Sequence, residues 1–162
     1  PQQGGKRLRV ISFPIEYADK KGTKYYLVYA THNAVGLNTF AQEMEKASRH
    51  QGLLKALVYA ENREKKTSNF DLFSPAQIDT EPHRHLQNNP WLDVLVTEGD
   101  QVVVDQERWA DLLERYNCYP SDLQAALGSL IEEGVAEVQG AKKGRKRNFV
   151  HPKKCEIVRR LR

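Results

Sequence analysis

The sequence predicts an α+β protein, and three features of the 162-residue chain lead to this expectation. Two β-branched and aromatic runs near the N-terminus, separated by turn residues, are typical of a β-hairpin. Apolar residues at helical spacing follow directly after these runs. Near the C-terminus, two amphipathic segments precede two strand-like runs that flank a basic turn. Helices and strands are therefore expected to pack as layers around a shared core.

The predicted hairpin consists of residues 7–17 (RLRVISFPIEY) and 24–31 (KYYLVYAT), with a turn at 19–22. Pro14 has no N–H to donate to a ladder, so it is expected on an edge or at a bulge. The second run is nearly continuous in apolar and aromatic character, which favours a strand covered on both faces. A larger sheet is therefore expected around the hairpin.

A helix is predicted to follow, with Asn33 as its N-cap. Its apolar face should pack on the hairpin and comprises Leu37, Phe40, Ala41, Met44 and Ala47. Gly52 is expected to interrupt this helix, and a second short helix should follow at 53–58.

Residues 67–90 contain three prolines and show no sustained period, which is typical of a linker or an irregular arm. Phe70, Leu72 and Phe73 in this arm are expected to dock on a flanking unit. The predicted organisation is a hairpin and helix unit at 1–66, an arm at 67–90 and a second domain at 91–162.

The second domain is predicted to open with a hairpin formed by residues 91–96 and 101–104. Asp105 then caps a helix. The apolar side chains that should share one face of this helix are Trp109, Leu112, Leu113 and Tyr116.

Another helix is predicted after a short turn, because Ser121 and Gln124 have the spacing of a capping box. Its buried face should contain Leu123, Ala126, Leu127, Leu130 and Ile131, and Gly134 should end it. Strands at 135–139 and 149–158 then enclose the basic turn GAKKGRKRN. Helix, turn, helix and β-ribbon in this order predict a winged helix-turn-helix, with Trp109, Leu113, Leu127 and Leu130 at the centre of its core.

The charge pattern suggests nucleic acid as the partner of this domain. Residues 134–162 carry ten Lys and Arg against two acids, whereas residues 1–133 have a net negative charge. Clustered cations at a wing tip can contact phosphates and release counterions. The predicted phosphate contacts are Lys142, Lys143, Arg145, Lys146 and Arg147.

The candidate recognition helix contributes less to this prediction. Its expected exposed positions include no Lys or Arg, so base contacts would fall to Gln124 and Ser129. The exposed positions predicted from the spacing are Asp122, Gln124, Ala125, Gly128, Ser129, Glu132 and Glu133. We therefore expect binding that is led by the wing and weak in sequence preference, with DNA favoured over RNA.

Catalytic and metal sites are not predicted from this sequence. His83 and His85 have a spacing that can serve a metal, but no carboxylate or cysteine pattern completes a site. No phosphate-binding glycine motif is present. Cys118 and Cys155 are too few for a disulfide framework, so a cytoplasmic setting is expected. No apolar run reaches the roughly 20 residues needed to cross a bilayer.

One family resemblance can be stated from the residues. The stretch Tyr25 to Leu37 (YYLVYATHNAVGL), the helix containing Met44 and the later Phe70–Pro75 stretch resemble the late part of the three-Cys-motif partner family. That resemblance implies the end of a methyltransferase-like α/β domain followed by a winged helix. It also implies that the residues contacting S-adenosylmethionine precede Pro1 in a longer parent protein, so no cofactor or catalytic residue is expected in this chain.

Two alternative functions remain beside nucleic-acid binding. The chain is either a fragment of an S-adenosylmethionine-dependent, methyltransferase-like enzyme or a protein-interaction adaptor. For the N-terminal hairpin, three outcomes are open, because a lone hairpin is marginal in water. It forms a homodimer, it is covered by residues 70–73, or it stays loosely ordered.

Overall fold

The computed structural model describes residues 7–67, 86, 88–140 and 149–161. Within these residues the chain is a mixed α+β protein, as predicted. Its helices are α1 (Ala34–Thr67), α2 (Pro90–Thr97), α3 (Gln106–Tyr116) and α4 (Pro120–Glu132). Its strands are β1 (Arg9–Glu16), β2 (Thr23–Thr31), β3 (Gln101–Val104), β4 (Ala136–Gln139) and β5 (Glu156–Arg160), and a 3₁₀ turn lies at Pro152–Lys154.

The predicted N-terminal hairpin is confirmed. β1 and β2 pair antiparallel from Arg9 opposite Thr31 to Ile15 opposite Tyr25, and the register shifts between Ile15 and Glu16. Pro14 lies close to this irregularity in a strand that has only one neighbour among the described residues. A proline is tolerated there because an edge strand does not need every N–H.

The prediction that the second strand is covered on both faces is wrong for the described residues. Tyr26 is 64% exposed and Val28 is 60% exposed. The described part of the chain gives β2 a single neighbouring strand, and close packing on β2 is concentrated at its end, where Tyr29 stacks on Phe40 with ring centroids 4.4 Å apart. Composition alone therefore overstated the burial of this strand.

Helix α1 begins as predicted, with the Asn33 side chain accepting the N–H of Val35 at 2.9 Å. The expected break at Gly52 is wrong, because α1 continues to Thr67. A glycine inside a helix costs only about 1 kcal/mol, and the flanking residues hold the helix to the hairpin. Gln51 donates to the backbone oxygen of Glu16, and Lys55 forms an ion pair with the Glu16 carboxylate.

The hairpin predicted at 91–96 and 101–104 is wrong in its first half. Residues 90–97 form α2, whose N-cap is Asn89: its side chain accepts the N–H of Trp91 at 3.0 Å. Pro90 occupies the first turn, where a missing N–H costs nothing. Trp91 is fully buried and donates its indole N–H to the oxygen of Leu123. Asn89 and Pro90, which were predicted to end the arm, instead start α2.

Strand β3 pairs instead with β5, and the three-stranded antiparallel sheet has the order β3-β5-β4. Val158 of β5 lies opposite Val102 on one side and Val138 on the other, and it is fully buried. The predicted return strand at 149–158 begins later than expected, because the 3₁₀ turn precedes β5. The predicted β4–β5 ribbon is otherwise present.

Helices α3 and α4 carry the predicted core. Asp105 caps α3 by accepting the N–H of Arg108 at 2.8 Å. Gly134 ends α4 at a φ of 71°, and the N–H of Val135 returns to the oxygen of Leu130, as in a Schellman motif. The four predicted central residues are all buried, at 4% exposure or less: Trp109, Leu113, Leu127 and Leu130.

The N-terminal unit packs against α3 through a polar contact as well as an apolar one. Arg9 of β1 is buried and bonds to the carboxylates of Glu107 and Asp111 on α3. Burial opposes the charge of this guanidinium, but the hydrogen bonds to Asp111 and Glu107 outweigh it and raise the pKa of Arg9. The division into domains 1–66 and 91–162 stays a prediction, because most of the arm lies outside the described residues.

Candidate nucleic-acid interface

Helix α4 is the candidate recognition helix, and it begins earlier than predicted. Its N-cap is Tyr119 rather than Ser121, and Pro120 occupies its first position. The carboxylate of Asp122 accepts the N–H of Tyr119 at 2.8 Å and is buried. The capping box predicted at Ser121 is therefore wrong, and Asp122 does not lie on the exposed face where it was expected.

Gln124 has a structural contact in this protein. Its amide nitrogen donates to the oxygen of Val150 at 2.7 Å, and its amide oxygen accepts the N–H of Val150 at 3.0 Å. Val150 is fully buried and precedes β5 in the chain. Gln124 therefore holds the segment that leads into β5 to α4 with both ends of its amide.

Ser129, the other predicted base contact, is exposed on α4, and its hydroxyl donates to the oxygen of Ala125 at 3.3 Å. The neighbouring exposed positions are Ala125, Glu132 and Glu133. The exposed face of α4 therefore offers one hydroxyl and two acidic residues, and no cation.

The N-terminal end of α4 is covered by α1. Glu45 of α1 is buried, and its carboxylate accepts the N–H of Ser121 at 3.3 Å while it binds Arg49 at 2.7 Å. The N-terminal residues of a recognition helix are those that usually reach base edges in a major groove. In this structure, the contact between Ser121 and Glu45 of α1 occupies that end of α4.

Only part of the predicted wing lies within the described residues. The five predicted phosphate contacts, Lys142, Lys143, Arg145, Lys146 and Arg147, lie outside the described residues. The return segment is described: the N–H of His151 donates to Glu156 at 2.8 Å, and the 3₁₀ turn follows. Lys153 and Lys154 in this turn are exposed. They were not among the predicted contacts, although their position in the basic C-terminal region could have indicated them.

The opposite end of β5 carries two further cations beside a surface groove of about 650 Å³. Arg159 and Arg160 line this groove together with Asp100. Arg159 also lies 3.9 Å from the carboxylate of Glu137. Asp100 and Glu137 therefore offset part of the positive charge of these arginines.

Metal-binding clusters and membrane-spanning helices are both absent from the described part of the chain. Across those ranges, no cluster of three or more His, Cys, Asp or Glu side chains could hold a metal ion. His83 and His85 lie outside them. No helix within the same ranges is both long enough and apolar enough to cross a bilayer.

No protein-family model, curated protein or solved structure matches this chain. The resemblance to the three-Cys-motif partner family therefore stays a prediction from short motifs.

Proposed function

We propose that residues 88–161 form a winged-helix unit that binds nucleic acid without catalysis, mainly through phosphate contacts of the β4–β5 wing. The observation that supports this proposal most is the sequence of elements: helix, strand, two helices and a β-ribbon, with β5 between β3 and β4. A basic connection of this kind between two ribbon strands is suited to a phosphate track.

The charge at the wing fits a polyanion. Lys153 and Lys154 are exposed in the return segment, and five more cations lie in the connection between β4 and β5. Gln124 and Glu156 hold the return segment through the backbone of Val150 and His151. Because these hydrogen bonds already hold the segment, it would lose less conformational entropy on binding nucleic acid.

The face of α4 argues for binding with little sequence preference. Its exposed residues include no cation, and its N-terminal end contacts Glu45. Phosphate contacts fix the position of a protein on a duplex but carry no direct sequence information. We therefore assign the affinity to the wing and expect duplex DNA to be the preferred partner.

A salt series tests this proposal. Binding to duplex DNA, single-stranded DNA and structured RNA is measured by fluorescence anisotropy at several salt concentrations. Replacing Lys153 and Lys154 by Ala should weaken binding to all DNA sequences alike. It should also flatten the slope of log K against log salt by about 0.9 for each phosphate that is no longer neutralised. The same replacement of the five wing-tip cations should have a larger effect.

The matched control replaces Lys20 and Lys21, which are exposed in the hairpin turn and carry the same charge. This double variant should bind like the parent chain. If the control loses as much affinity as the Lys153 and Lys154 variant, the attraction is non-specific and the wing is not the contact surface.

A protein-interaction module is the second candidate function, because the end of α4 that usually reads DNA is covered by α1. This alternative predicts a complex with another protein that persists at high salt, where phosphate binding fades. Pull-down at about 1 M salt distinguishes the two functions.

A further inference from the structure

The two outer edges of the N-terminal hairpin differ. In an antiparallel pair, alternate residues direct their N–H and C=O groups toward the partner strand or away from it. The N–H of Val10 donates to Glu114 at 2.9 Å, and the N–H of Ser12 donates to Asn117 at 3.1 Å. The backbone N–H groups of Val10 and Ser12 therefore point away from β2, and side chains at the end of α3 accept their hydrogen bonds.

Pro14 continues the same series, since it lies two residues after Ser12 and has no N–H. The outer edge of β1 is thus satisfied by Glu114 and Asn117 at two positions and lacks a donor at the third. Another strand cannot pair there without displacing Glu114 and Asn117.

The outer edge of β2 is different. The residues opposite Val10, Ser12 and Pro14 are Ala30, Val28 and Tyr26. By the same alternation, their backbone groups point away from β1. Within the described residues, no strand lies beside β2 on that side. Along this edge, the N–H and C=O groups of three alternate residues point outward: Tyr26, Val28 and Ala30.

The side chains of β2 do not protect this edge. Natural edge strands are usually blunted by proline, by charged side chains or by a covering element. β2 contains no proline and no acid, and its single charged residue is Lys24. Its apolar side chains are exposed instead: Tyr25 by 53%, Leu27 by 40% and Val28 by 60%.

We propose that β2 pairs with β2 of a second copy of this chain, antiparallel and centred on Leu27, to form a continuous four-stranded sheet. In this pair, residues whose backbone groups point outward must lie opposite each other in the two copies. Registers in which residue 26, 27 or 28 lies on the two-fold axis meet this condition. Only the register centred on Leu27 pairs Thr23 with Thr31 of the second copy, and so uses the whole nine-residue strand.

The side-chain pairs of this register favour a second copy as the occupant. Leu27 faces Leu27, Tyr25 faces Tyr29, and Tyr26 faces Val28 of the second copy. Aromatic and β-branched pairs of this kind stabilise a sheet. Lys24 faces Ala30, so no like charges lie opposite each other, and the two-fold symmetry closes the assembly at a dimer.

Sedimentation velocity across about 5 to 200 μM protein tests the pairing. The parent chain should approach twice its mass of 18.6 kDa as concentration rises. Val28→Pro removes an outward N–H without removing a β1–β2 hydrogen bond, and it should shift the chain to monomer at all these concentrations. Val10→Lys, an exposed position on β1, is the matched control and should keep the dimer.

Cross-linking tests the register without relying on the proline variant. Leu27 faces its own copy at a non-hydrogen-bonded position, where Cα atoms lie about 4.5 Å apart and a disulfide can form. In a Cys155→Ser background, Leu27→Cys should give a covalent dimer on mild oxidation. Val28→Cys should not, because its two copies are diagonal across the strands and about 8 Å apart.

Three results would overturn the proposal: a parent chain that is monomeric throughout, a dimer that survives Val28→Pro, or cross-linking of Val28→Cys in preference to Leu27→Cys. If Val28→Pro does not fold, the cross-link pattern decides. A chain that is monomeric alone and binds a different protein or a nucleic acid through β2 would show that the occupant is not a second copy.

Discussion

At the scale of single residues, Arg9 is the polar link between the hairpin and α3. Its side chain is 8% exposed and lies 2.6 Å from Glu107. Arg9→Met should reduce the free energy of unfolding by about 1.5–3 kcal/mol, because charged hydrogen bonds are removed. Arg7→Met is the control, since Arg7 pairs with Glu114 but is 67% exposed, and it should cost less than about 1 kcal/mol. Equal losses in urea denaturation would contradict the linking role of Arg9.

Tyr116 provides a second prediction at this scale. Burial, and after it the hydrogen bond to Asp93, raises the pKa of Tyr116 to about 12. An unfolded tyrosine has a pKa of about 10, so the folded state favours the neutral phenol. This contribution to stability is complete below pH about 10 and is lost as the pH rises through about 12.

Spectrophotometric titration of tyrosinate checks the assignment. Tyr116→Phe should remove the transition near pH 12. The control Tyr26→Phe, at an exposed position, should remove one tyrosine from the total but leave the transition near pH 12 in place. Loss of that transition in the control alone would contradict the assignment to Tyr116.

At the scale of elements, one face of α4 packs on α2 and β4, and we expect it to stabilise the C-terminal unit. Leu127 is fully buried, so Leu127→Ala should cost about 2–5 kcal/mol. Leu54→Ala removes the same atoms from α1 at a position that is 57% exposed, and it should change stability by less than about 0.5 kcal/mol. Thermal denaturation of both variants compares them, and a Leu127→Ala chain that melts with the parent would exclude this face as core.

At the scale of the whole molecule, the two proposals combine. A dimer formed through β2 would carry two basic wings, and simultaneous binding of both would raise the apparent affinity without any new contact. Val28→Pro should therefore weaken binding to a long DNA duplex by about tenfold or more. Binding to a short duplex that has room for only one wing should stay the same. If both duplexes respond alike, the wings do not act together.

The sequence by itself determined the features that depend on neighbours along the chain. The Asn33 and Asp105 caps, the Gly134 stop and the apolar faces of α3 and α4 were all predicted correctly. Caps need a side chain within three residues of the N–H that they bind, and an apolar face needs only the helical period. These signals are local, so they can be read without the fold.

Only the tertiary structure decided which of several local possibilities applies. α1 continues through Gly52, and Gln51 and Lys55 on either side of it contact Glu16, which lies 35 or more residues earlier. Residues 91–96 are apolar enough for a strand or a helix, and burial of Trp91 against α4 accompanies the helix. Gln124 has the chemistry of a base contact, yet its amide holds Val150. In each case the deciding contact joins residues far apart in the chain, and no local pattern contains it.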